Sequence, residues 1–256
     1  MIRYRDVTVS YGEGAPDAVH NVSFSAERGT VTALVGPNGS GKSTLVRAML
    51  RTVRLVSGEI CIDGVEIDSV GRAEFARTVS VVTQREDTTF VRTVREHIEL
   101  GRFPHRGQHG GDAAAVIDAA ERAGVVTLLD RPTDAISGGE WQRVRVARAL
   151  AQGGGAIVLD EPTAFLDIAH EMQMFEMLAA LAASGIAVVL VSHQLNLVAR
   201  FANSIVLLHH GKVAATGAPE AIMRGDLLES VYGWPLVVTR DPAIGAPALV
   251  PLRRTH

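Results

Sequence analysis

Nine residues, Gly36-Pro37-Asn38-Gly39-Ser40-Gly41-Lys42-Ser43-Thr44, limit what this chain can fold into more than any other stretch. They satisfy G-x-x-x-x-G-K-[ST] at every required position, the pattern of a loop that wraps a polyphosphate. Gly36, Gly39 and Gly41 let the backbone turn tightly and aim several N–H groups inward. A helix starting near Gly41 adds its positive dipole end. Lys42 then reaches the β- and γ-phosphates, and the Ser43 hydroxyl ligates Mg²⁺. A glycine-rich turn matching by chance would not carry the right flanks. Here Val31–Val35 reads as a buried strand leading in, and residues 44–50 read as a helix leading out. Of the 25 basic residues only Lys42 and Lys212 are lysines. The loop keeps a slim point charge where a guanidinium fork does not fit.

The rest of the composition narrows the setting. At 256 residues the chain suits one large core or a core with appended subdomains. With 47% hydrophobic and 21% charged residues it is globular in character. A formal net charge of −3 leaves no electrostatic footprint for nucleic acid or an anionic membrane. The lone Cys61 cannot form an internal disulfide, which fits a reducing, cytoplasmic setting. No secretory leader pattern or membrane-spanning apolar run is visible, so any membrane role is expected to come through a partner.

In chain order, residues 2–10 read as a strand, broken at 11–16. Val22–Ala26, Val31–Val35 and Glu59–Ile67 continue in β fashion, the last with Asp63-Gly64 as a two-residue hairpin turn. This predicts a small antiparallel sheet beside the strand that feeds the phosphate loop. Tyr11 is open to two readings, a strand-end aromatic or a ring stacked on adenine. Residues 79–83 form another strand, ending at Gln84, after which the pattern turns helical to about Ala151. Asp112 is a plausible N-cap for 113–123, with Gly124 as a stop. His105 and His109 have no third ligand nearby and read as surface residues.

Ser137 and Glu140 make a capping box opening a helix over 140–151. Gly138 and Gly139 are not needed for a cap, and they leave N–H groups free for an anion, making a second helix-mouth phosphate site. Residues 156–161, Ala-Ile-Val-Leu-Asp-Glu, form an apolar strand ending in two carboxylates. Following a phosphate loop, this spacing places Asp160 on Mg²⁺ and Glu161 beside the attacking water. His193 ends the next strand, 187–192, where open α/β sheets hold nucleotides, and is read as a γ-phosphate contact. Further on, the expectation is a hairpin around His209-His210-Gly211, a helix over 219–231 and a strand over 236–238. The tail 241–256 carries Pro242, Pro247 and Pro251 and is expected to be loosely ordered.

In this order the motifs resemble those of the ATP-binding subunit of ABC transporters over nearly the whole length. Gly36–Thr44 resembles Walker A, Gln84 the Q-loop and Ser137-Gly138-Gly139-Glu140 the signature motif. Asp160 and Glu161 resemble Walker B and its catalytic glutamate, residues 164–167 the D-loop ending in Asp167, and His193 the switch histidine. Tyr11 then matches the adenine-stacking aromatic. The usual glutamine of the signature is Glu140 here, a departure that bears on affinity at the partner's ATP.

The resemblance implies a P-loop NTPase α/β core with an antiparallel β subdomain and an α-helical signature subdomain at about 90–152, all within one domain over 1–240. It also implies ATP and Mg²⁺ as cofactors, with Gln84 linking the Mg²⁺ site to the helical subdomain. Two subunits would pair head to tail, each ATP clamped between one Walker A and the other chain's signature motif.

Short stretches narrow the resemblance to the importers of ferric siderophores, haem and cobalamin: 101–105, 140–143, 165–167, 193–196 and Val231-Tyr232-Gly233-Trp234-Pro235. That branch implies a polytopic membrane permease as partner, a substrate-binding protein acting indirectly, and no nucleic acid. A soluble ABC ATPase acting on nucleic acid or ribosomes is the competing reading. It is disfavoured by the single cassette and the lack of a basic patch. A non-hydrolysing regulatory cassette is disfavoured by the presence of both Glu161 and His193.

Overall fold

In the computed structural model the described residues are 2–12, 14–84, 90–105 and 112–253; His109 lies outside them. β1 (Ile2–Ser10) and β2 (Asp17–Ala26) form an antiparallel pair, followed by β3 (Val31–Val35) and the phosphate-loop helix α1 (Lys42–Met49). β4 (Leu55–Ile62) and the short β5 (Val65–Glu66) return beside β1, giving a four-stranded antiparallel sheet ordered β2-β1-β4-β5. The β4–β5 turn is the predicted Asp63-Gly64, with φ of 49° and 84°. Positive φ at both central residues is what a tight hairpin demands.

After α2 (Arg72–Thr78) and β6 (Val79–Val82), the chain leaves the sheets for α3 (Val94–Glu99), α4 (Asp112–Arg122) and α5 (Gly138–Ala151). It then builds β7 (Ala156–Asp160), α6 (Ile168–Ala183), β8 (Ala187–Val191), α7 (Leu195–Phe201), β9 (Ser204–His209) and β10 (Lys212–Gly217). These complete a six-stranded sheet ordered β10-β9-β3-β8-β7-β6, parallel except for β10. β3, β7 and β8 are buried along their whole lengths, as their continuous apolar runs require when both faces of a sheet are covered.

Two apolar layers result. One lies between the two sheets around α1, with Leu45, Met49, Ile60 and Val189. Part of that layer is Tyr4, stacked on Phe24 at 4.3 Å between centroids, its hydroxyl donating to the Leu45 carbonyl at 3.1 Å. The other layer lies on the far face, under α5, α6 and the helices of 94–129, with Ile98, Val144, Phe175 and Leu178.

The C-terminal region departs from two expectations. The predicted helix over 219–231 is two helices, α8 (Pro219–Ile222) and α9 (Gly225–Tyr232), separated at Met223 and Arg224. The larger correction concerns the tail, which among the described residues forms a β-hairpin with the strand before it. β11 (Leu236–Arg240) and β12 (Pro247–Pro251) pair antiparallel from Leu236 opposite Pro251 to Arg240 opposite Pro247. Proline is tolerated because both prolines of β12 sit at the ends of an edge strand. Side chains tie the hairpin down. Trp234 Nε1 donates to the Leu252 carbonyl at 2.8 Å, and Asn196 on α7 makes two hydrogen bonds to the backbone of Leu249. The fold therefore runs past residue 240, the boundary expected from the sequence.

Candidate functional site

Four neighbouring strands of the parallel sheet end at one level, and each is followed by a predicted site residue. β3 leads into the phosphate loop, β8 ends two residues before His193, β7 ends at Asp160 and β6 ends two residues before Gln84. This is the carboxyl edge of an open α/β sheet, where ligands bind. The three loop glycines all adopt positive φ: 146° at Gly36, 79° at Gly39 and 102° at Gly41. Gly41 is the N-cap of α1, so the helix mouth opens toward the cleft.

The cleft there has a volume of about 520 Å³ and is lined by Tyr11, Ala18, residues 38–44, Gln84 and Glu161. Lys42 Nζ is folded back on the loop, donating to the carbonyls of Gly36 at 2.7 Å and Pro37 at 2.9 Å. Burial holds its ammonium below the usual lysine range, opposed by the charges of Glu161 and Asp160. Asp160 is buried, and that burial pushes its carboxyl up despite a hydrogen bond from Ser43. Ser43 Oγ is 3.4 Å from Asp160 Oδ1. A hydroxyl and a carboxylate in contact at a polyphosphate cleft are a hard-oxygen donor set, the kind a small divalent cation takes.

Glu161 sits between two partners. Its Oε2 accepts from Gln84 Nε2 at 3.1 Å, and its Oε1 is 3.7 Å from His193 Nδ1. Its φ is 50°, a strained value for a residue with a side chain, and its N–H donates to the Val191 carbonyl at 3.0 Å. Strain of this kind costs about 1–3 kcal/mol and persists only where surrounding contacts over-determine it. Tyr11 lies at the mouth, 54% exposed, its hydroxyl 3.0 Å from Thr44 Oγ1.

The structure thus brings Tyr11, the phosphate loop, Gln84, Asp160, Glu161 and His193 together. Ser137, Gly138, Gly139, Glu140 and Asp167 do not line this cleft. Ser137 is the N-cap of α5 in a complete capping box, with Glu140 Oε2 accepting from Ser137 N–H at 2.8 Å and from Ser137 Oγ at 2.9 Å. The helix begins at Gly138, so both glycines lie in its first turn, two residues earlier than the pattern alone indicated. These hydrogen bonds hold the Glu140 carboxyl below the usual range. Asp167 caps α6 and is likewise held low, chiefly by the His170 backbone N–H.

One contributor to the site, and one burial away from it, escaped the sequence reading. Arg145 is buried in α5, donates to Gln142 Oε1 at 2.8 Å and also binds the Thr83 carbonyl, fixing the residue just before Gln84. An arginine in a helix reads as a surface residue, and nothing in its spacing says otherwise. His105, expected at the surface, is half-buried with Nε2 2.9 Å from the Gln152 carbonyl.

Comparison with known proteins agrees with this geometry. The family model described as ABC transporter matches residues 19–164. The ferric enterobactin transport ATP-binding protein FepC of Escherichia coli K12 is 36% identical over 260 residues, covering all of this chain and 96% of that protein. The hemin import ATP-binding protein HmuV of Rhodococcus jostii RHA1 is 38% identical, covering 96% of this chain and 85% of that protein. Among solved structures, the dimeric bacterial ABC transporter cassette MJ0796 superposes with a TM-score of 0.74 at 29% identity. It covers 86% of this chain and 99% of that one. The same cassette has also been solved as a dimer in a post-hydrolysis state with ADP and phosphate. This chain belongs to the ATP-binding subunits of the ABC transporter family and is a nucleotide-binding ATPase of that fold.

Proposed function

We propose that this subunit hydrolyses ATP to power a polytopic membrane permease that imports an iron chelate such as a ferric siderophore, haem or cobalamin. The carrying observation is that Gln84 and Glu161 line one cleft with the phosphate loop while His193 Nδ1 stands 3.7 Å from Glu161 Oε1. The cargo class is supported by the relatives' ferric enterobactin and hemin systems. Among the described residues no helix is long and apolar enough to cross a membrane; in this reading attachment runs through the permease. A substrate-binding protein enters only through that permease.

In this reading Tyr11 stacks on the adenine, and the N–H groups of Gly36–Thr44 hold the phosphates. Lys42 leaves its two loop carbonyls for the β- and γ-phosphate oxygens. Ser43, Asp160 and Gln84 would hold Mg²⁺, which neutralises charge building on the phosphates. Glu161 takes the proton of the attacking water, and His193 holds the γ-phosphate and water in line. Ser137, Gly138 and Gly139 have no role at their own chain's cleft. They complete the site of a second copy paired head to tail, as does Asp167, and Glu140 stands where a glutamine is usual.

The test is Glu161→Gln, which keeps size and hydrogen bonding and removes the base. Such a loss typically costs about 10²–10⁴ in rate. The variant is expected to form a stable ATP-dependent dimer by light scattering and, drawn from solubilised membranes, to bring a polytopic permease with it. Near wild-type hydrolysis, or recovery of ribosomal or DNA-bound proteins in place of a permease, refutes the proposal.

A further inference from the structure

Glu140 occupies both hydrogen-bond donors of the residue that caps its helix. Ser137 has one backbone N–H and one hydroxyl proton to give. Glu140 Oε2 accepts both, the N–H at 2.8 Å and the hydroxyl at 2.9 Å, while Ser137 Oγ accepts the Glu140 N–H at 3.3 Å. A capping box needs only the two reciprocal bonds to backbone N–H groups. The third bond, from hydroxyl to carboxylate, is additional and commits the only side-chain proton of Ser137. Arg131 and Arg143 act on the same carboxylate, but more weakly than the two bonds from Ser137. Ser137 and Gly138 are exposed, so this arrangement sits at a surface open to a second molecule.

We propose that Glu140 is a positioning residue that brakes ATP-driven pairing of two copies by holding the Ser137 hydroxyl in the unpaired subunit. This rests on the head-to-tail reading above, in which the mouth at Ser137–Gly139 closes on the other chain's nucleotide. The terminal phosphate oxygens of ATP only accept hydrogen bonds. Ser137 can bind one of them only after its proton has left Glu140. A hydrogen bond to a carboxylate is roughly twice as strong as one to a neutral acceptor. Glutamine at this position still accepts, through a neutral oxygen, and releases the hydroxyl more readily. Pairing therefore breaks one charge-assisted bond at each of the two mouths in a symmetric dimer.

The experiment starts from the full chain carrying Glu161→Gln and adds either Glu140→Gln or Glu140→Ala. The monomer–dimer dissociation constant with MgATP is measured by sedimentation. Melting temperature and the affinity of the monomer for a fluorescent ATP analogue are measured alongside. Exchanging a charged acceptor for a neutral one is worth about five-fold at each mouth, so Glu140→Gln should lower the dimer constant about 25-fold. Glu140→Ala removes the acceptor altogether and should also tighten the dimer, although it melts lower. Analogue affinity should stay unchanged in both, because the monomer's own cleft is untouched. A purely structural cap predicts the opposite sign, a weaker dimer that follows the fall in melting temperature. An unchanged or raised dimer constant in whichever variant folds overturns the proposal. The parent separates the two failures. If Glu161→Gln alone does not dimerise with ATP, the head-to-tail reading itself fails. If it dimerises and the Glu140 variants are no tighter, only the brake fails.

Discussion

Gly36→Ala and Gly39→Ala change the same residue type in the same loop, yet the structure predicts different costs. Both glycines adopt positive φ, 146° and 79°, so an alanine at either is strained by about 1–2 kcal/mol. At Gly39 nothing lies within 4 Å of an added Cβ, and the backbone cost is the whole cost. At Gly36 the added carbon would stand 2.1 Å from the Leu208 carbonyl oxygen and 2.8 Å from Ser40 Oγ. Leu208 belongs to β9, paired to β3 on one side and β10 on the other, so that carbonyl cannot yield without disturbing the sheet. Overpacking of this kind adds about 1–3 kcal/mol, giving roughly 2–5 kcal/mol in all. With a urea slope of about 3 kcal/mol/M, the midpoint falls by roughly 0.7–1.7 M for Gly36→Ala. Gly39→Ala shifts it by roughly 0.3–0.7 M. Equilibrium urea unfolding without nucleotide checks both, since binding energy then plays no part. Equal midpoint shifts for the two variants would show that the loop is not pressed against β9 as described.

Three further outcomes are expected. Asp160→Asn removes a buried carboxylate whose folded-state pKa is raised by burial. Its ionisation therefore costs stability above the unfolded value of about 3.9, so the variant should melt higher at pH 7, lose that advantage below about pH 4, and hydrolyse no ATP. Asn196→Ala deletes two hydrogen bonds to Leu249, worth about 1–3 kcal/mol together, and should speed amide exchange over 236–251 while the phosphate loop stays protected. Uniform exchange across the chain would contradict a separately anchored hairpin. In Glu140→Gln, an acceptor to Ser137 remains but the negative charge at the α5 mouth is lost, worth about 0.3–1 kcal/mol. Because the Glu140 pKa is depressed on folding, that contribution is complete above about pH 4.3 and vanishes as pH falls through the folded value. Melting curves of the two proteins should converge below that pH.

The sequence by itself determined the phosphate loop, the carboxylates that end β7, the histidine after β8 and the capping box at Ser137. Each is written in local terms: glycines where φ turns positive, apolar runs of strand length, and a Ser and a Glu three residues apart. Short-range chemistry is legible because neighbouring residues alone satisfy it. Tertiary structure decided what depends on distant partners. Arg145 is buried because the Thr83 carbonyl lies beside it, and Gly139 is confined because His170, 31 positions later in the chain, occupies its side-chain space. The proline-bearing tail looked unstructured because its anchor, Asn196, lies 53 positions before Leu249, even though its pairing strand β11 is close by in the sequence. No periodicity encodes such contacts. They exist only once strand order has brought β3, β8 and β7 side by side and set the helices against them.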